Sequence, residues 1–587
     1  IDTVIISKNV DRTRAPRCEF KWIGADGTEV LATRLGEDAR ANFFMNGYLK
    51  VMTGKVYKSS DYEFQYGHDG QVFHQADGEG AVQDYFRLES TEKIHKEYIK
   101  EAVEKVWKGM DATRLPDDRA MMDGSDSTTA QPHLLDLLAE MNEQSENIEF
   151  KSSSLEEYVD VLKKKLNFDE LNEIHGEMRD GPTTSLSGNA LMTRPYLKTL
   201  NKAVQNKLFG MAEPVSAVNM ILGGEYEEHF LDKAVDYMLL SQPHDSINGV
   251  TQDKTANDVV YRLSQAEELA YTVYMRGLQN IVRKIDLSAY DKDDMIFVVF
   301  NPTAKPRQEV LEVVLDTPQD KNIWEFGIED SKGNVRELQF KNRTEHISPV
   351  VHLQSRPFPY YTDRHTVFFE TGEVPAGGYE VYRLTDLVTF DRKTKFWAKT
   401  RKTDGKEIAK ATDRMENDLL AVKVNADGSI TITDKRTNEV YGPLNYYEST
   451  GDVGDYWMYY PPYSNRTYTS KGTQASIYLK ENGDLSATIG VDMKMLIPEY
   501  AYRPESYIHG KSERSESMKE LPITTYYTLR KGSDQVEVKV VINNNCRDHR
   551  VSVLMETGVQ TDIANAQGHF TVDHRNALPL IDAEGKY

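Results

Sequence analysis

The spacing of apolar residues changes twice along this chain, and those changes constrain the fold more than any other feature. Up to about residue 180, short apolar runs alternate with helical patterns. From about 189 to 286 apolar residues recur every three to four positions, and from about 293 they alternate with polar ones. A period near 3.6 predicts helices, and a period of two predicts half-buried strands. We therefore predict part of a parallel α/β sheet, then a bundle of three or four helices, then β-sandwich domains.

The same changes predict four domains in the 587 residues. Residues 1–185 are the remainder of an α/β catalytic domain, and residues 186–290 are a helical bundle. Residues 291–390 form a small β-sandwich, and residues 391–587 form a large β-sandwich that is incomplete at its C-terminus. The chain starts within an apolar run and has no initiator Met. We therefore expect it to be an internal portion of a longer polypeptide.

Within the first predicted domain, three short apolar segments are interpreted as strands: Val4–Ile6, Arg119–Met122 and Ile148–Phe150. Ser154, with Glu157 three residues later, is typical of a capping box at a helix start. Function in parallel sheets collects at the carboxyl ends of the strands, so polar groups after these strands are candidates for a site.

Composition excludes some classes of partner. The formal net charge of −22 would repel phosphate backbones and anionic membrane surfaces. No run of 18 or more apolar residues is present, so we expect no transmembrane helix. Cys18 and Cys546 cannot build a disulfide framework or a Cys-based zinc site. Two cysteines fit a reducing compartment, and we expect a cytoplasmic protein.

The stretch Ser241–Val250 places His244 beside Asp245 on what we predict to be a short, stiff loop between helices. Pro243 restricts the backbone conformation of the residue before it, and Gly249 indicates a sharp turn. Most histidines have structural roles, but a loop that interrupts helices presents its side chains rather than burying them. Neutral imidazole is a good zinc ligand, and the carboxylate can accept a hydrogen bond from a substrate hydroxyl. One His cannot hold a metal alone, so at least two more ligands must come from elsewhere.

Three further clusters are candidates. Asp123 and Asp126 follow a predicted strand and precede a helix. Each could simply shape a turn or a helix start. Asp126 is nevertheless our candidate for a general acid. Glu177 and Arg179 are predicted to pair with each other or to order a site, and a structural role is favoured. The aromatic stretch Tyr446–Pro462 fits a sugar-binding platform and a sandwich edge with core tyrosines equally well.

Taken in order, these motifs resemble glycoside hydrolase family 38, the retaining α-mannosidases, and in particular its bacterial branch, which includes mannosylglycerate hydrolases and N-glycan-directed α-mannosidases. The resemblance covers nearly the whole chain. It is carried by segments that resemble the family's strands, its acid/base loop, the lead into its bundle, its metal loop and its β region: Ile1–Lys8, Phe20–Gly27, Asp123–Asp126, Gly176–Asp180, Met192–Lys198, Gln242–Gly249, Asp427–Arg436 and Gly451–Asp455.

The resemblance implies retaining hydrolysis of α-mannosides with one zinc ion per subunit, held by two His and two Asp. His244 would be one ligand, Asp245 would bind the sugar, and Asp126 would be the general acid/base. Other sugar contacts are implied near Lys8, which stands where the family usually has Arg, and in the subsite motif, at Asp452, Asp455, Tyr456 and Trp457. There Tyr-Trp replaces the usual single Tyr. The nucleophilic Asp and the family's His-x-Asp metal pair would precede Ile1.

Three functions follow as alternatives. The first is a zinc-dependent α-mannosidase acting on α-mannosides or N-glycan-derived oligosaccharides. The second is a mannosylglycerate hydrolase, which needs a basic residue near the leaving group to bind the carboxylate. The third is a non-catalytic carbohydrate-binding protein, against which the joint presence of Asp126, His244 and Asp245 argues. A homodimer is left open.

Overall fold

The computed structural model describes residues 3–7, 10, 12–36, 42–53, 94–124, 131, 133–178, 188–348, 361–389, 405–457, 459–503, 511–568 and 571–577. The chain divides into two compact units. The first unit consists of Ile1–Leu186 together with Gln560–Tyr587, and the second is Ser187–Val559.

The first unit contains a four-stranded sheet in the order β1-β3-β2-β4. Its strands are Thr3–Ile6 (β1), Glu19–Ile23 (β2), Glu29–Arg34 (β3) and Asn172–His175 (β4). β1 runs parallel to β3, and β2 parallel to β4, but β2 and β3 are antiparallel. The prediction of a parallel sheet is therefore wrong in part. The connection from β2 to β3 is too short for a crossover and closes as a tight turn, in which Gly24 N–H donates to the Thr28 carbonyl at 2.8 Å.

The helices of this unit are Leu49–Thr53 (α1), Ile99–Lys108 (α2), Leu134–Gln144 (α3) and Leu155–Lys165 (α4). The Ser154 cap is confirmed, since its hydroxyl accepts the Glu157 N–H at 3.2 Å. The strands predicted at Arg119–Met122 and Ile148–Phe150 are wrong, because both segments are irregular. The Asn142 side chain binds the N–H and C=O of Phe150, at 2.6 and 2.8 Å, so the backbone there is satisfied without a ladder.

A C-terminal hairpin of Ile563–Gln567 (β25) and Val572–Asn576 (β26) belongs to this first unit. The buried Asp573 carboxylate accepts the backbone N–H of Glu177, and Arg575 Nη2 lies 3.0 Å from Glu177 Oε2. Arg179 lies outside the described residues, so its predicted pairing with Glu177 stays a prediction. Arg575 is one ion-pair partner of Glu177.

The second unit begins with helices: Pro195–Lys207 (α5), Glu213–Ile221 (α6), Glu228–Leu239 (α7), His244–Asn248 (α8) and Asp253–Val282 (α9). The long helix α9 contacts the other four. Its inward positions Val259, Leu263 and Ala266 are fully buried and pack with residues of α5 and α7 such as Val204 and Ala234. This apolar stripe, at helical spacing, is what holds the helices together. No helix among the described residues is both long and apolar enough to span a membrane.

Two layers of sheet follow, a three-stranded sheet in the order β6-β10-β9 and a four-stranded sheet in the order β5-β11-β7-β8. Their inner faces share one core, which includes Phe326, Val367 and Tyr382. The strands are Ile296–Asn301 (β5), Val310–Pro318 (β6), Ile323–Asp330 (β7), Val335–Arg336 (β8), Leu338–Ile347 (β9), Thr362–Glu370 (β10) and Gly378–Thr389 (β11).

The last part of the unit is a larger pair of sheets. One sheet runs β12-β13-β14-β15-β16-β17, with β24 also on β16, and the other runs β18-β19-β22-β23. Alternate residues of β19 from Ala487 to Ile497 enter the common core. The strands are Ala409–Ala411 (β12), Arg414–Glu416 (β13), Leu420–Val424 (β14), Ile430–Asp434 (β15), Glu439–Gly451 (β16), Tyr468–Thr469 (β17), Ser476–Glu481 (β18), Ser486–Pro498 (β19), Ala501–Tyr502 (β20), Glu513–Arg514 (β21), Met518–Arg530 (β22), Val536–Ile542 (β23) and His549–Met555 (β24). The predicted mixture of helical and antiparallel β regions in a multidomain chain is confirmed.

Candidate functional site

His244 and Asp245 lie on a single helical turn rather than on the predicted loop. The Pro243 carbonyl accepts the N–H groups of Ser246 and Ile247, at 2.9 and 3.1 Å, which winds α8 directly after the proline. Gly249 ends the turn with φ of +76°, in the left-handed region that glycine tolerates best. The sequence reading missed this helix because five residues between Pro243 and Gly249 are too few to show a period.

The turn presents both functional groups to solvent. His244 Nε2 lies 3.5 Å from Asp245 Oδ1, and the two side chains are 80% and 63% exposed. The imidazole and the carboxylate are therefore adjacent, and both are accessible to a ligand.

Two cations hold the end of this turn from the start of α5. Arg194 Nε and Nη2 donate to the carbonyls of Gly249 and Thr251, each at 3.0 Å. Lys198 Nζ donates to the Asn248 carbonyl at 2.6 Å, and desolvation lowers the pKa of this lysine. The segment Met192–Lys198, which sequence reading treated only as a lead into the bundle, is thus what fixes the position of the His-Asp turn.

The same segment also contacts the aromatic loop after β16. Thr193 Oγ1 donates to the Tyr456 carbonyl at 2.8 Å, and the Arg194 guanidinium lies 5.7 Å from the centre of the Tyr456 ring. The structure therefore links the end of the His-Asp turn to the predicted Tyr456 loop, through two residues that were not predicted.

The loop itself is folded by its own carboxylates. Asp452 Oδ1 accepts the Gly454 N–H and Asp455 Oδ1 accepts the Trp457 N–H, both at 2.9 Å. Tyr456 and Trp457 remain 52% and 44% exposed. Asp452 and Asp455 shape the backbone so that two large rings face solvent, a surface on which a pyranose ring can pack.

An open cleft of about 470 Å³ adjoins this loop. It is lined by Asp452, Asp455, Tyr456, Arg503, Asp548 and His549. Sequence reasoning missed the last three of these, because Asp548 and His549 reach the cleft only through the pairing of β24 with β16, in which His549 lies opposite Gly451. Desolvation lowers the pKa of His549, and the nearby Arg514 cation lowers it further, so this imidazole is neutral at pH 7.

The interpretation of Tyr446–Pro462 as a sandwich edge with core tyrosines is confirmed for its first residues, and sugar binding by the rest stays a prediction. Tyr446 and Tyr447 lie on β16 and are buried, and Tyr447 belongs to the sandwich core. Tyr456, Trp457 and Tyr460 lie on the loop and are exposed. The stretch therefore supplies core tyrosines first and an accessible aromatic surface afterwards.

The described residues do not by themselves form the expected zinc site. In the part of the chain that the structure describes, no three His, Cys, Asp or Glu side chains are grouped so that they could hold a metal ion. His244 is an accessible imidazole with one neighbouring carboxylate, which makes it a candidate donor but not a complete site. Asp126 and Lys8 lie outside the described residues, so the expected approach of Asp126 to His244 stays a prediction.

Residues 415–577 match the family model described as "Glycosyl hydrolases family 38 C-terminal domain". This part of the chain is similar to the C-terminal domain of glycoside hydrolase family 38. The resemblance seen in the sequence motifs is thereby confirmed. The matched region extends past the second unit into the hairpin Ile563–Asn576, which belongs to the first.

Individual relatives agree with this resemblance. A curated protein of Halalkalibacterium halodurans, named "Putative mannosylglycerate hydrolase", is 24% identical over 466 residues, which are 74% of this chain and 50% of that protein. The chain thus spans about half the length of this curated relative.

Two solved structures have the same fold. An α-mannosidase from Enterococcus faecalis V583 superposes with a TM-score of 0.75 at 21% identity, covering 98% of this chain and 62% of that one. A glycosyl hydrolase family 38 protein from Enterococcus faecalis gives a TM-score of 0.72 at 21% identity, covering 98% and 63%. At this identity the likeness establishes the fold.

Proposed function

We propose that this chain is part of a retaining glycoside hydrolase that removes terminal α-linked mannose from α-mannosides or N-glycan-derived oligosaccharides. The observation that carries the proposal is the exposed His244–Asp245 turn, whose end is linked through Arg194 to the Tyr456 loop, in a chain whose residues 415–577 match a family 38 domain. An imidazole, an accessible carboxylate and two flat rings on linked segments suit recognition of a sugar ring and its hydroxyls.

Each residue has a defined role in this proposal. Asp245 accepts hydrogen bonds from hydroxyl groups of the mannose, and Tyr456 and Trp457 provide flat surfaces for sugar rings. Asp126 protonates the leaving oxygen and then removes a proton from the attacking water, as retaining hydrolysis requires of one carboxyl group. The second carboxylate, the nucleophile, is the one that the resemblance places before Ile1. Lys8 is proposed to lie near the sugar as a cation.

The zinc ion is also a proposal. His244 would donate one ligand, and at least one further donor would have to come from outside the described residues of this chain. Bound zinc would supply Lewis acidity at the sugar hydroxyls. No proton transfer described above passes through the metal.

The test is hydrolysis of 4-nitrophenyl α-mannoside by the full-length protein, with the anomeric configuration of the first product followed by NMR. We expect α-mannose first, and we expect Asp126→Asn to lower kcat by about 10²-fold or more. Asp123→Asn, which changes a carboxylate three residues away, is the matched control and should leave kcat within a few-fold. Release of β-mannose first, or unchanged activity of Asp126→Asn, would reject the assigned mechanism.

The metal proposal has its own matched pair. His244→Ala and a chelator should both abolish most of the activity, whereas His229→Ala should not, because His229 is an exposed histidine on helix α7 of the same bundle. If His244→Ala retains wild-type activity, or if the chelator has no effect, the role of His244 as a metal ligand is wrong.

A mannosylglycerate substrate is the second candidate, and two observations favour it. The curated relative bears that name, and Arg503 lines the cleft beside the Tyr456 loop, where a guanidinium can bind a carboxylate with two parallel hydrogen bonds. We expect Arg503→Gln to lower kcat/KM for mannosylglycerate more than for 4-nitrophenyl α-mannoside. Arg550→Gln is the control, because the Arg550 guanidinium carbon lies 4.3 Å from the centre of the Tyr459 ring. An equal loss for both substrates would remove this candidate, and binding without turnover of either would favour a carbohydrate-binding protein.

A further inference from the structure

Arg194 has an unusual backbone for an arginine. It is the residue before Pro195 at the start of α5, and it has φ of +46° and ψ of +60°, a left-handed conformation that favours glycine. A side chain with a Cβ persists there only when its contacts hold it in place. Those contacts run in two directions.

In one direction the guanidinium binds the segment that follows the His-Asp turn. It donates to the carbonyls of Gly249 and Thr251 and forms an ion pair with Asp253, with Nη2 2.8 Å from Oδ1. The approach is close, because a Cβ on Gly249 would lie 2.9 Å from the Arg194 Cβ. Only a planar fork with several N–H donors can satisfy acceptors spread in this way, and a lysine ammonium could not.

In the other direction the same residue and its neighbour hold the aromatic loop. The guanidinium faces the Tyr456 ring, and the Thr193 hydroxyl donates to the Tyr456 carbonyl. Arg194 is therefore in contact with the turn that presents His244 and with the loop that presents Tyr456 and Trp457.

We propose that Arg194 is a positioning residue, which sets the His244–Asp245 turn and the Tyr456–Trp457 loop at a fixed separation without touching the substrate itself. The effect on catalysis rests on the proposed function, but the mechanical coupling of the two segments does not. The two parts are tested separately.

Hydrogen exchange of the full-length protein tests the coupling. The Ile247 N–H, bound to the Pro243 carbonyl, reports on the turn, and the Val453 N–H, bound to the Tyr460 carbonyl, reports on the loop. We expect Arg194→Gln to raise exchange by about tenfold at both reporters, since each segment then opens more often. Lys198→Met, which removes a cation bound to the Asn248 and Thr193 carbonyls but leaves the Arg194–Tyr456 contact, should raise exchange more at Ile247 than at Val453.

Arg276→Gln is the distant control on the same bundle, because Arg276 pairs with Glu227 at 3.2 Å, and it should change neither reporter. If Arg194→Gln accelerates exchange only at the turn, or at neither reporter, the proposed coupling is wrong. If that variant does not fold, Arg194→Lys is measured instead. It keeps the charge but loses the planar fork, so exchange should rise at both Ile247 and Val453, and unchanged exchange at either reporter would overturn the proposal as well.

Kinetics test the consequence for catalysis. Arg194→Gln and Arg194→Lys should both raise KM and lower kcat/KM for 4-nitrophenyl α-mannoside, with the pH profile of kcat unchanged, because no group that transfers protons has been altered. A changed pH profile would place Arg194 in the proton transfers and reject a positioning role. If the wild-type protein lacks mannosidase activity altogether, the proposed function fails while the exchange result still decides whether the two segments are coupled.

Discussion

A buried histidine in the small pair of sheets should make the stability of this region depend on pH. His365 on β10 is fully buried, and its Nε2 lies 3.2 Å from the Thr317 hydroxyl, while its Nδ1 has no hydrogen-bond partner in the described part of the structure. Desolvation, together with the Arg343 cation, lowers the pKa of His365 from 6.5 to about 4, against the opposing carboxylates Asp363 and Asp316.

The sign of the effect follows from which state binds the proton. The folded state keeps His365 neutral until pH falls to about 4, whereas the unfolded chain takes up the proton near 6.5. Stability from this group is therefore fully present above pH 6.5 and is lost as pH falls from 6.5 to 4. One pKa unit corresponds to about 1.4 kcal/mol, so a pKa difference of 2.5 corresponds to about 3.4 kcal/mol of unfolding free energy.

The assay is urea unfolding at pH 7.0, 5.5 and 4.0, followed by fluorescence of Trp324, which lies on β7 in the same pair of sheets. The other four tryptophans are replaced by Phe so that the signal is local. We expect the change in unfolding free energy between pH 7 and pH 4 to be about 3 kcal/mol smaller in His365→Gln than in the parent protein.

The matched control is His346→Gln, since His346 lies on β9 in the same region but is exposed and stacks on Tyr361 at 3.8 Å. Carboxylates that titrate in this range contribute equally to all three proteins and cancel in the comparison. Parallel pH curves for the parent protein and His365→Gln would refute the reasoning.

Three further predictions concern other parts of the chain. Gly249→Ala should destabilise the His-Asp turn by about 1–3 kcal/mol, because Gly249 combines a positive φ with a close approach to Arg194. Hydrogen exchange in the turn should detect this loss. Gly223→Ala, at a similar φ but with open space around it, should destabilise its own segment less. Arg514→Met should cost about 1–3 kcal/mol in thermal unfolding, because it leaves the Ser449 and Arg466 carbonyls without their buried donor; an unchanged Tm would count against this. Asp573→Ala should raise hydrogen exchange at the Glu177 N–H, whereas Asp562→Ala in the preceding segment should not.

Local patterns predicted local structure well in this chain. The Ser154 cap and the long helices of the second unit follow from spacing and hydrogen-bonding chemistry within a few residues. The strands expected at Arg119–Met122 and Ile148–Phe150 fail because apolar content cannot reveal that a side chain such as Asn142 already satisfies the backbone.

The candidate site was predictable only in part, because its assembly depends on contacts that are distant in sequence. His244, Asp245 and Tyr456 carry recognisable chemistry in their own segments. His549 enters the cleft only because β24 pairs with β16, and its ring lies near Ser449, 100 residues away in sequence. Arg194 had no signal of its own, since its importance comes from a strained backbone and from carbonyl groups whose positions no side-chain pattern records.

The hairpin Ile563–Asn576 has a consequence for the order in which the protein is made. Its Asp573 and Arg575 bind Glu177, so the first unit includes residues from both sides of the second unit in the sequence. During translation, residues 187–559 leave the ribosome before the partners of Glu177 exist. The usual order, in which the N-terminal part is finished first, is therefore reversed here. A nascent chain that stalls before residue 563 would hold a folded insert while the unit that surrounds it in sequence still lacks its last contacts.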